Sequence, residues 1–527
     1  MKKETVADNL KLLQKGSGKL YLLCIIVGAL TGFIVSLYRW ALNYANHFRE
    51  FIVKNSLSEG TLTIFFIWIS FILIGLIVDY ISKKYPKISG SGIPQVKGIL
   101  LRKLDYVNWL QELIAKFIAG LMSIGAGLSL GREGPSVQLG SYIGFGITKI
   151  FKRDSIEKKY LVTSGSSAGL AGAFGAPLSG VMFALEELHK YISAKLLICT
   201  FLASIASDFV GRRMFGMETS FNLIANYPKN INPYYQFILY IILGIVIAFF
   251  GKLFTLTLIK VQDKFKELKI SRWIKMSFVM STSLLFCYFL PEVTGGGHEL
   301  VEEMAGGNRT IQLLIIIFLA KLFFTALCYA TGFAGGIFLP MLVLGAIIGK
   351  IYGLTLIKYL GVGLDFVPHF MVLGMAGYFV AVVRAPITGA VLILEMTGNF
   401  DHLLALVTVS VVAYYVTELL GLEPIYEILF KRMPKDTPMK EEDSGKKTII
   451  TVPVMAESEL DGKTISEIKW AEDVLVVAIC RNEHEIIPKG NSVIESGDVL
   501  TLLLPEAKVY EMKELLYKQG LLQINDF

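Results

Sequence analysis

Three short segments of the 527-residue chain set glycine and proline at the opening of an apolar run with helical patterning: Gly90-Ser-Gly-Ile-Pro94, Gly131-Arg-Glu-Gly-Pro135 and Gly335-Gly-Ile-Phe-Leu-Pro340. At such a start several backbone N–H groups lack a partner within the helix, and the aligned peptide dipoles make that end partly positive. Helix ends of this kind bind anions. Several converging inside a membrane would hold a halide by partial charges, without a lysine or arginine gripping it too tightly to let go. A cation site would call for rings of carbonyls or carboxylates instead. Glu133 lies within the second segment, and an acid in an apolar, Gly-rich stretch is costly unless it is functional.

The elements that must carry these segments are membrane helices. The chain is 54% hydrophobic and 18% charged, too apolar for an average soluble protein, and its apolar runs recur from Tyr21 to Gly421 with short polar breaks. The first run, Leu20–Val35, follows several lysines but no small-residue cleavage site, and reads as a retained helix. Basic clusters at Lys149–Lys159, Lys260–Lys275 and Lys431–Lys440 place those loops, and with them both termini, on the cytoplasmic side. Gly90–Gly98, Gly125–Gly144, Gly165–Gly180 and Gly332–Gly349 are interrupted by glycine and proline. Irregular backbone at membrane depth is tolerated only where it is buried or lines a polar cavity.

The chain also repeats itself. Pro135 to Gly144 aligns with Pro340 to Gly349 at an offset of 205, and Ala176-Pro-Leu-Ser-Gly180 running to Glu186 aligns with Ala385-Pro-Ile-Thr-Gly389 running to Glu395 at an offset of 209. Two nearly equal offsets point to duplication, with halves of roughly residues 20–215 and 225–430 meeting at a site built from interrupted helices. These matches leave open whether the halves are parallel or inverted.

After Met433 the composition turns polar, and a small α/β module follows. Strands are predicted at Thr448–Val454, Val474–Cys480 and Val499–Leu504, turns at Asp461-Gly462 and Gly497-Asp498, and a helix at Glu506–Tyr517. Nucleic acid is not an expected partner, because the net charge of +7 is gathered in loops. The five cysteines form no CxxC pair and the six histidines are dispersed, so no metal or cofactor is expected. Nucleotide-driven pumping lacks its motif: Gly16-Ser-Gly-Lys19 has Leu13 where a P-loop needs its first glycine, and Gly462-Lys-Thr464 has Glu457 there. No catalytic triad is visible, so the chain is not expected to be an enzyme.

GSGIP, GREGP and GGIFLP, in this order and joined by EPIY at Glu423–Tyr426, resemble the ClC family of chloride channels and transporters over about residues 20–435. The resemblance implies an α-helical polytopic membrane protein with the ClC fold: two inverted repeats of many tilted and broken helices, assembled as a homodimer with a separate ion pathway in each subunit. It implies that Ser91 and the Tyr426 hydroxyl bind the central chloride, with the backbone amides of Ile337 and Phe338 completing the site. Serine at position 91 implies chloride, since proline there accompanies nitrate preference in the family. Glu133 corresponds to the external gate, and Glu187 to the internal acid that passes protons to the cytoplasm in the exchangers. The implied function is chloride/proton antiport across a bacterial cytoplasmic membrane, with a passive chloride channel as the alternative, chloride and protons as the transported species and no cofactor. One departure stands out: where bacterial exchangers often carry further acids near the internal proton pathway, this chain has Gln95 and Lys97.

The module from about Lys447 to Gln519 resembles the TrkA-C (RCK-C) regulatory domain. Such domains pair as dimers, and some bind small ligands, cyclic dinucleotides among them. The cyclic di-AMP binders carry Asp-x-Arg and then Asn where this chain has Glu467-Ile-Lys469 and Leu475. The expected organisation is therefore a transport domain at 1–436, a linker at 437–446 and a cytoplasmic regulatory domain at 447–527.

Overall fold

The computed structural model describes residues 17–433 and 447–505, apart from 191–192, 217–220, 222–224, 226, 229–231, 308, 361–362, 455–457, 459, 469, 471–472 and 482–483. The expected linker at 437–446 and the helix at Glu506–Tyr517 lie outside the described residues. The chain forms two compact units, one holding the helices up to Met433 and the other the strands that follow.

The larger unit begins with α1 (Ser17–Glu59) and α2 (Thr61–Lys84), then α3 (Ile93–Leu100), α4 (Trp109–Gly125), α5 (Glu133–Ile150), α6 (Ser155–Phe174), α7 (Pro177–Phe183) and α8 (Ala194–Phe215). A second set follows: α9 (Pro233–Glu267), α10 (Arg272–Phe289), α11 (His298–Gly306), α12 (Ile311–Ala330), α13 (Phe338–Leu360), α14 (Val367–Val383), α15 (Pro386–Thr397) and α16 (Leu403–Leu419). The short α17 (Ile425–Lys431) closes the unit. Among the described residues, seven helices are long and apolar enough to cross a membrane. The outward faces stay apolar: α2 exposes Leu62, Phe65, Phe66, Leu73 and Ile77, side chains that lipid accommodates and water does not. The chain is a polytopic membrane protein. The first helix runs well past the predicted Leu20–Val35 because its second half buries Tyr38, Leu42 and Val53 against the bundle.

Equivalent contacts recur within the two sets, and those between the sets come in exchanged pairs. Lys116 Nζ donates to the carbonyls of Ile88 and Gly90, both at 2.7 Å. Lys321 Nζ, 205 positions on, donates to those of Val293 and Gly295 at 3.1 and 3.3 Å. Gly90 N donates to Gly332 O at 3.2 Å, and Gly295 N to Gly127 O at 3.1 Å. The Glu186 carboxylate accepts from Ile387 N at 3.2 Å and from the backbone and hydroxyl of Thr388 at 2.7 Å. Glu395 does the same for Leu178 N at 3.0 Å and for Ser179 N and Oγ at 2.7 and 2.5 Å. Such exchange requires a pseudo-two-fold axis. The axis passes through Gly131 and Gly336, which bond each other in both directions at 2.7 Å as an antiparallel bridge. Equivalent backbones run oppositely there, as a two-fold axis perpendicular to both requires.

The glycines inside the helices have a separate use, the close crossing of neighbours. A Cβ on Gly165 of α6 would stand 2.0 Å from the Gly140 carbonyl of α5, and one on Gly374 of α14 would stand 2.3 Å from that of Gly345 of α13. The true breaks in the chain are narrower than the Gly-rich segments: α6 continues through Gly165 and stops only at Gly175, which takes the left-handed conformation (φ +64°) before Pro177 opens α7.

The smaller unit is a four-stranded antiparallel sheet of β1 (Lys447–Pro453), β2 (Leu475–Arg481), β3 (His484–Ile486) and β4 (Val499–Pro505), in the order β1-β4-β2-β3. Leu500, Leu502 and Leu504 alternate into its core beside Val452 and Ile479. The buried Asp498 accepts from Arg481 Nε and Nη2, both at 2.8 Å. Burial pushes its carboxyl up, but the Arg481 bonds prevail and hold it below the ordinary aspartate range.

Candidate functional site

The loop before α3 is held from several sides. Gly90 and Gly92 adopt φ +65° and +96°, which a residue with a Cβ rarely takes. Lys116 is buried and gathers the Ile88 and Gly90 carbonyls. Ser89 Oγ donates to Gly332 O at 2.6 Å, Gly335 N to Gly90 O at 3.1 Å, and Gln95 Nε2 back to Ser89 O at 2.7 Å. Ser91 is thereby fixed at the N-terminus of α3 with 1% of its surface exposed, and its hydroxyl makes no hydrogen bond of good geometry.

The N-termini of α5 and α13 meet this loop. A Cβ on Gly134 would come within 2.3 Å of Ser91 Oγ, so only glycine lets the first turn of α5 approach so closely. A Cβ on Gly131 would meet Glu133 Oε2 at 2.3 Å and Leu339 N at 3.1 Å. The Glu133 carboxylate therefore lies between the two helix starts, facing the backbone N–H groups of Leu339 and of Glu133 itself. Both its oxygens are buried without a hydrogen bond of good geometry. Ile337 and Phe338 are fully buried at the start of α13, and the Phe338 ring packs on Phe379, Phe174 and Phe183 at 4.7, 5.5 and 6.2 Å between centroids.

Tyr426, in the first turn of α17, completes the cluster. It is fully buried, its hydroxyl faces Ser91 without a hydrogen bond of good geometry, and it feels the charges of both Glu133 and Glu187. The Ser91 and Tyr426 hydroxyls thus face each other where the openings of α3 and α5 approach, and the Glu133 carboxylate lies between the openings of α5 and α13. The arrangement suits a monovalent anion, and it suits equally the carboxylate that would compete with it.

Glu187 lies apart from the helix openings. It falls on a π-helical turn, Ala184–His189, and is 2% exposed, so it is a buried acid and not an ordinary solvated helix end. A π-turn rotates the residues after it relative to the preceding helix, and such turns recur at functional sites. Its neighbour Glu186 is committed to the start of α15 by the bonds described above. Lys97 Nζ stands 3.7 Å from Glu187 Oε1 and 2.5 Å from Glu427 Oε1.

The sequence reading thus named six residues; Ser91, Glu133, Ile337, Phe338 and Tyr426 gather at the helix openings, and Glu187 lies on the π-turn apart from them. It missed Lys116, Lys321 and Glu427. The two lysines carried a signal, since each interrupts an apolar helix at positions 205 apart. Glu427 carried none, because its partner lies 330 positions away.

Fold and site define a polytopic membrane protein of two inverted repeats whose broken helices converge on a buried centre. Residues 74–418 match the model of the voltage gated chloride channel family, and residues 449–517 that of the TrkA-C domain. The chain is 32% identical to the H(+)/Cl(-) exchange transporter ClcA of Vibrio parahaemolyticus over 80% of its own length and 91% of the relative's. With the ClcA of Klebsiella pneumoniae it shares 34% identity over 78% of this chain and 88% of that one. Its fold is similar to the crystal structure of a slow cyanobacterial Cl-/H+ antiporter, with a TM-score of 0.73 and 31% identity, covering 78% of this chain and 97% of that one. The chain belongs to the voltage gated chloride channel family, ClC, and carries a TrkA-C domain.

Proposed function

We propose that the protein is a secondary active exchanger of chloride for protons. The observation that carries this reading is the Glu133 carboxylate, buried among the helix openings beside Leu339 N, together with a second buried acid, Glu187, whose charge acts on the same Tyr426 hydroxyl. In this reading Ser91, Tyr426 and the amides of Ile337 and Phe338 hold chloride. Glu133 is the external gate: ionised, it occupies the anion position, and protonated, it gives way. Glu187 exchanges that proton with the cytoplasm. The exchanger relatives named above support the coupling, since a passive channel needs no internal acid.

The transport domain spans 1–436 in this proposal and the regulatory domain 447–527, joined by residues 437–446. Both termini face the cytoplasm of a bacterial cell, as the basic loops Lys149–Lys159, Lys260–Lys275 and Lys431–Lys440 indicate. The protein works as a homodimer with one pathway per subunit, and its C-terminal domain receives a small-molecule or nucleotide ligand.

The test is the reversal potential of reconstituted protein in liposomes under a pH gradient. Coupling displaces it from the chloride equilibrium value, whereas a value at chloride equilibrium would identify a channel and sink the exchanger reading.

A further inference from the structure

Tyr329 brings a third hydroxyl to the place where Ser91 and Tyr426 meet. It lies in the last turn of α12, buried with 6% of its surface exposed. A Cβ on Gly90 would stand 3.2 Å from its hydroxyl oxygen and 3.5 Å from its Cζ, so the phenol lies against the loop that opens α3. Its oxygen faces the backbone N–H of Ser91. The same phenol acts on the Tyr426 hydroxyl more strongly than Glu187 or Glu133 does, and that hydroxyl in turn faces the one of Ser91. Each of the three residues is thus a neighbour of the other two.

The carbonyls that steady this loop are already occupied. Gly90 O accepts from Lys116 Nζ at 2.7 Å and from Gly335 N at 3.1 Å, and Gly332 O accepts from Gly90 N at 3.2 Å and from Ser89 Oγ at 2.6 Å. A carbonyl offers two lone pairs, and in both cases both are taken. A phenol oxygen approached by the Ser91 N–H keeps its own hydrogen to donate. Among the described residues the Tyr329 hydroxyl makes no hydrogen bond of good geometry.

The second repeat shows whether the loop needs this phenol. Lys116 and Lys321 gather the carbonyls of the two equivalent loops, and Gly90 and Gly295 both take the left-handed conformation, at φ +65° and +58°. At the offset of 205 the counterpart of Tyr329 is Ile124 and that of Ser91 is Gly296. Nothing stands within 4 Å of where a Cβ on Gly295 would be. A loop of this shape therefore forms without a phenol against it. The parts that hold the loop are duplicated, whereas the two hydroxyls occur together in one half and are both missing from the other.

We propose that Tyr329 is a third hydroxyl donor to the anion held by Ser91 and Tyr426, and a determinant of how tightly chloride binds there. The anion takes the hydrogen that the loop leaves free, and the Ser91 N–H, donating to the Tyr329 oxygen, strengthens that donation. The proposal rests on the reading of Ser91 and Tyr426 as chloride ligands.

The experiment is calorimetric titration of chloride into full-length protein purified in detergent, for the unmodified chain, Tyr329→Phe and Tyr426→Phe. Tyr329→Phe keeps the ring and strands no acceptor. It should raise the Kd for chloride about fivefold. Its unfolding temperature without chloride should equal that of the unmodified chain, and should rise less when chloride is added. Unchanged affinity overturns the proposal. A lower unfolding temperature without chloride, or loss of folded protein, overturns it too, because the hydroxyl would then be a prop of the loop. Tyr426→Phe tells the two readings apart: if it weakens chloride binding and Tyr329→Phe does not, Tyr329 alone falls. If the unmodified chain binds no chloride, or Tyr426→Phe leaves the affinity unchanged, the chloride site itself is misplaced.

Discussion

At Ser91 and Tyr426 the same physical condition recurs: a hydroxyl taken out of water and facing the other without a hydrogen bond of good geometry. A buried unsatisfied donor costs on the order of 1–3 kcal/mol, and two of them facing one place is an arrangement that an anion would relieve. Ser91→Pro removes one donor, and anion selectivity measured in liposomes should shift toward nitrate relative to chloride; unchanged selectivity would separate Ser91 from the ion. The two acids should fail in different ways. Glu133→Gln imitates the protonated gate, so chloride should pass without proton coupling and without pH-dependent gating. Glu187→Gln removes a proton carrier and leaves the gate able to titrate, so chloride flux should keep its pH dependence while coupled proton movement falls to little or nothing. Proton fluxes in Glu187→Gln equal to those of the unmodified chain would place the relay elsewhere. Glu186 is a poor substitute, because its carboxylate is held by Ile387 and Thr388.

Between elements, what matters is which helix starts are satisfied by protein and which are not. The openings of α7 and α15 are capped from across the pseudo-two-fold axis, by Glu395 and Glu186, in charge-assisted bonds of 2.5–3.2 Å. Among the described residues the openings of α3 and α5 receive no such side chain from the other repeat, and the opening of α13 meets only the Glu133 carboxylate, without a hydrogen bond of good geometry; these are the openings gathered around Ser91. The difference divides structural acids from functional ones. Glu395→Gln should destabilise the protein by about 1–3 kcal/mol, seen as a lower unfolding temperature in detergent, and should leave the proton-to-chloride ratio of the folded fraction intact. A changed ratio would show that this acid shares in transport. The glycines at 140, 165, 345 and 374 belong to the same scale, since they let the helix pairs that frame the openings approach to backbone contact.

For the whole molecule, the exchange of contacts across the bridge between Gly131 and Gly336 makes one centre from two similar halves, while differences between the halves assign the tasks. Position 133 is an acid, whereas position 338, its counterpart, is a phenylalanine, so one helix opening carries the gate and the other offers amides. The sheet of the smaller unit has its own core of Val452, Ile479, Leu500, Leu502 and Leu504, as expected of a separable module. Truncation after about Glu442 should therefore leave folded, transporting protein whose activity is altered in its regulation, measured as chloride flux from purified, reconstituted protein. Loss of all assembly on truncation would instead make the module a structural requirement.

Membrane class, duplication and the helix openings could be read from the chain because each rests on local pattern: apolar run length, recurrence at a fixed offset, and glycine with proline before a helix. Three strands of the C-terminal sheet were legible for the same reason, expected from their β-branched content at 448–454, 474–480 and 499–504 and found at 447–453, 475–481 and 499–505; the three-residue β3 was too short to show one. Resemblance supplied the roles of Ser91, Glu133, Glu187 and Tyr426, and the folded chain then showed that the first, second and fourth share a place. The exchange of contacts between the repeats, the commitment of Glu186 to a cap, and the grouping of Lys97 with Glu187 and Glu427 came only from tertiary structure. They depend on contacts between residues 90 to 330 positions apart, and no local pattern encodes which distant partner a charged side chain will meet.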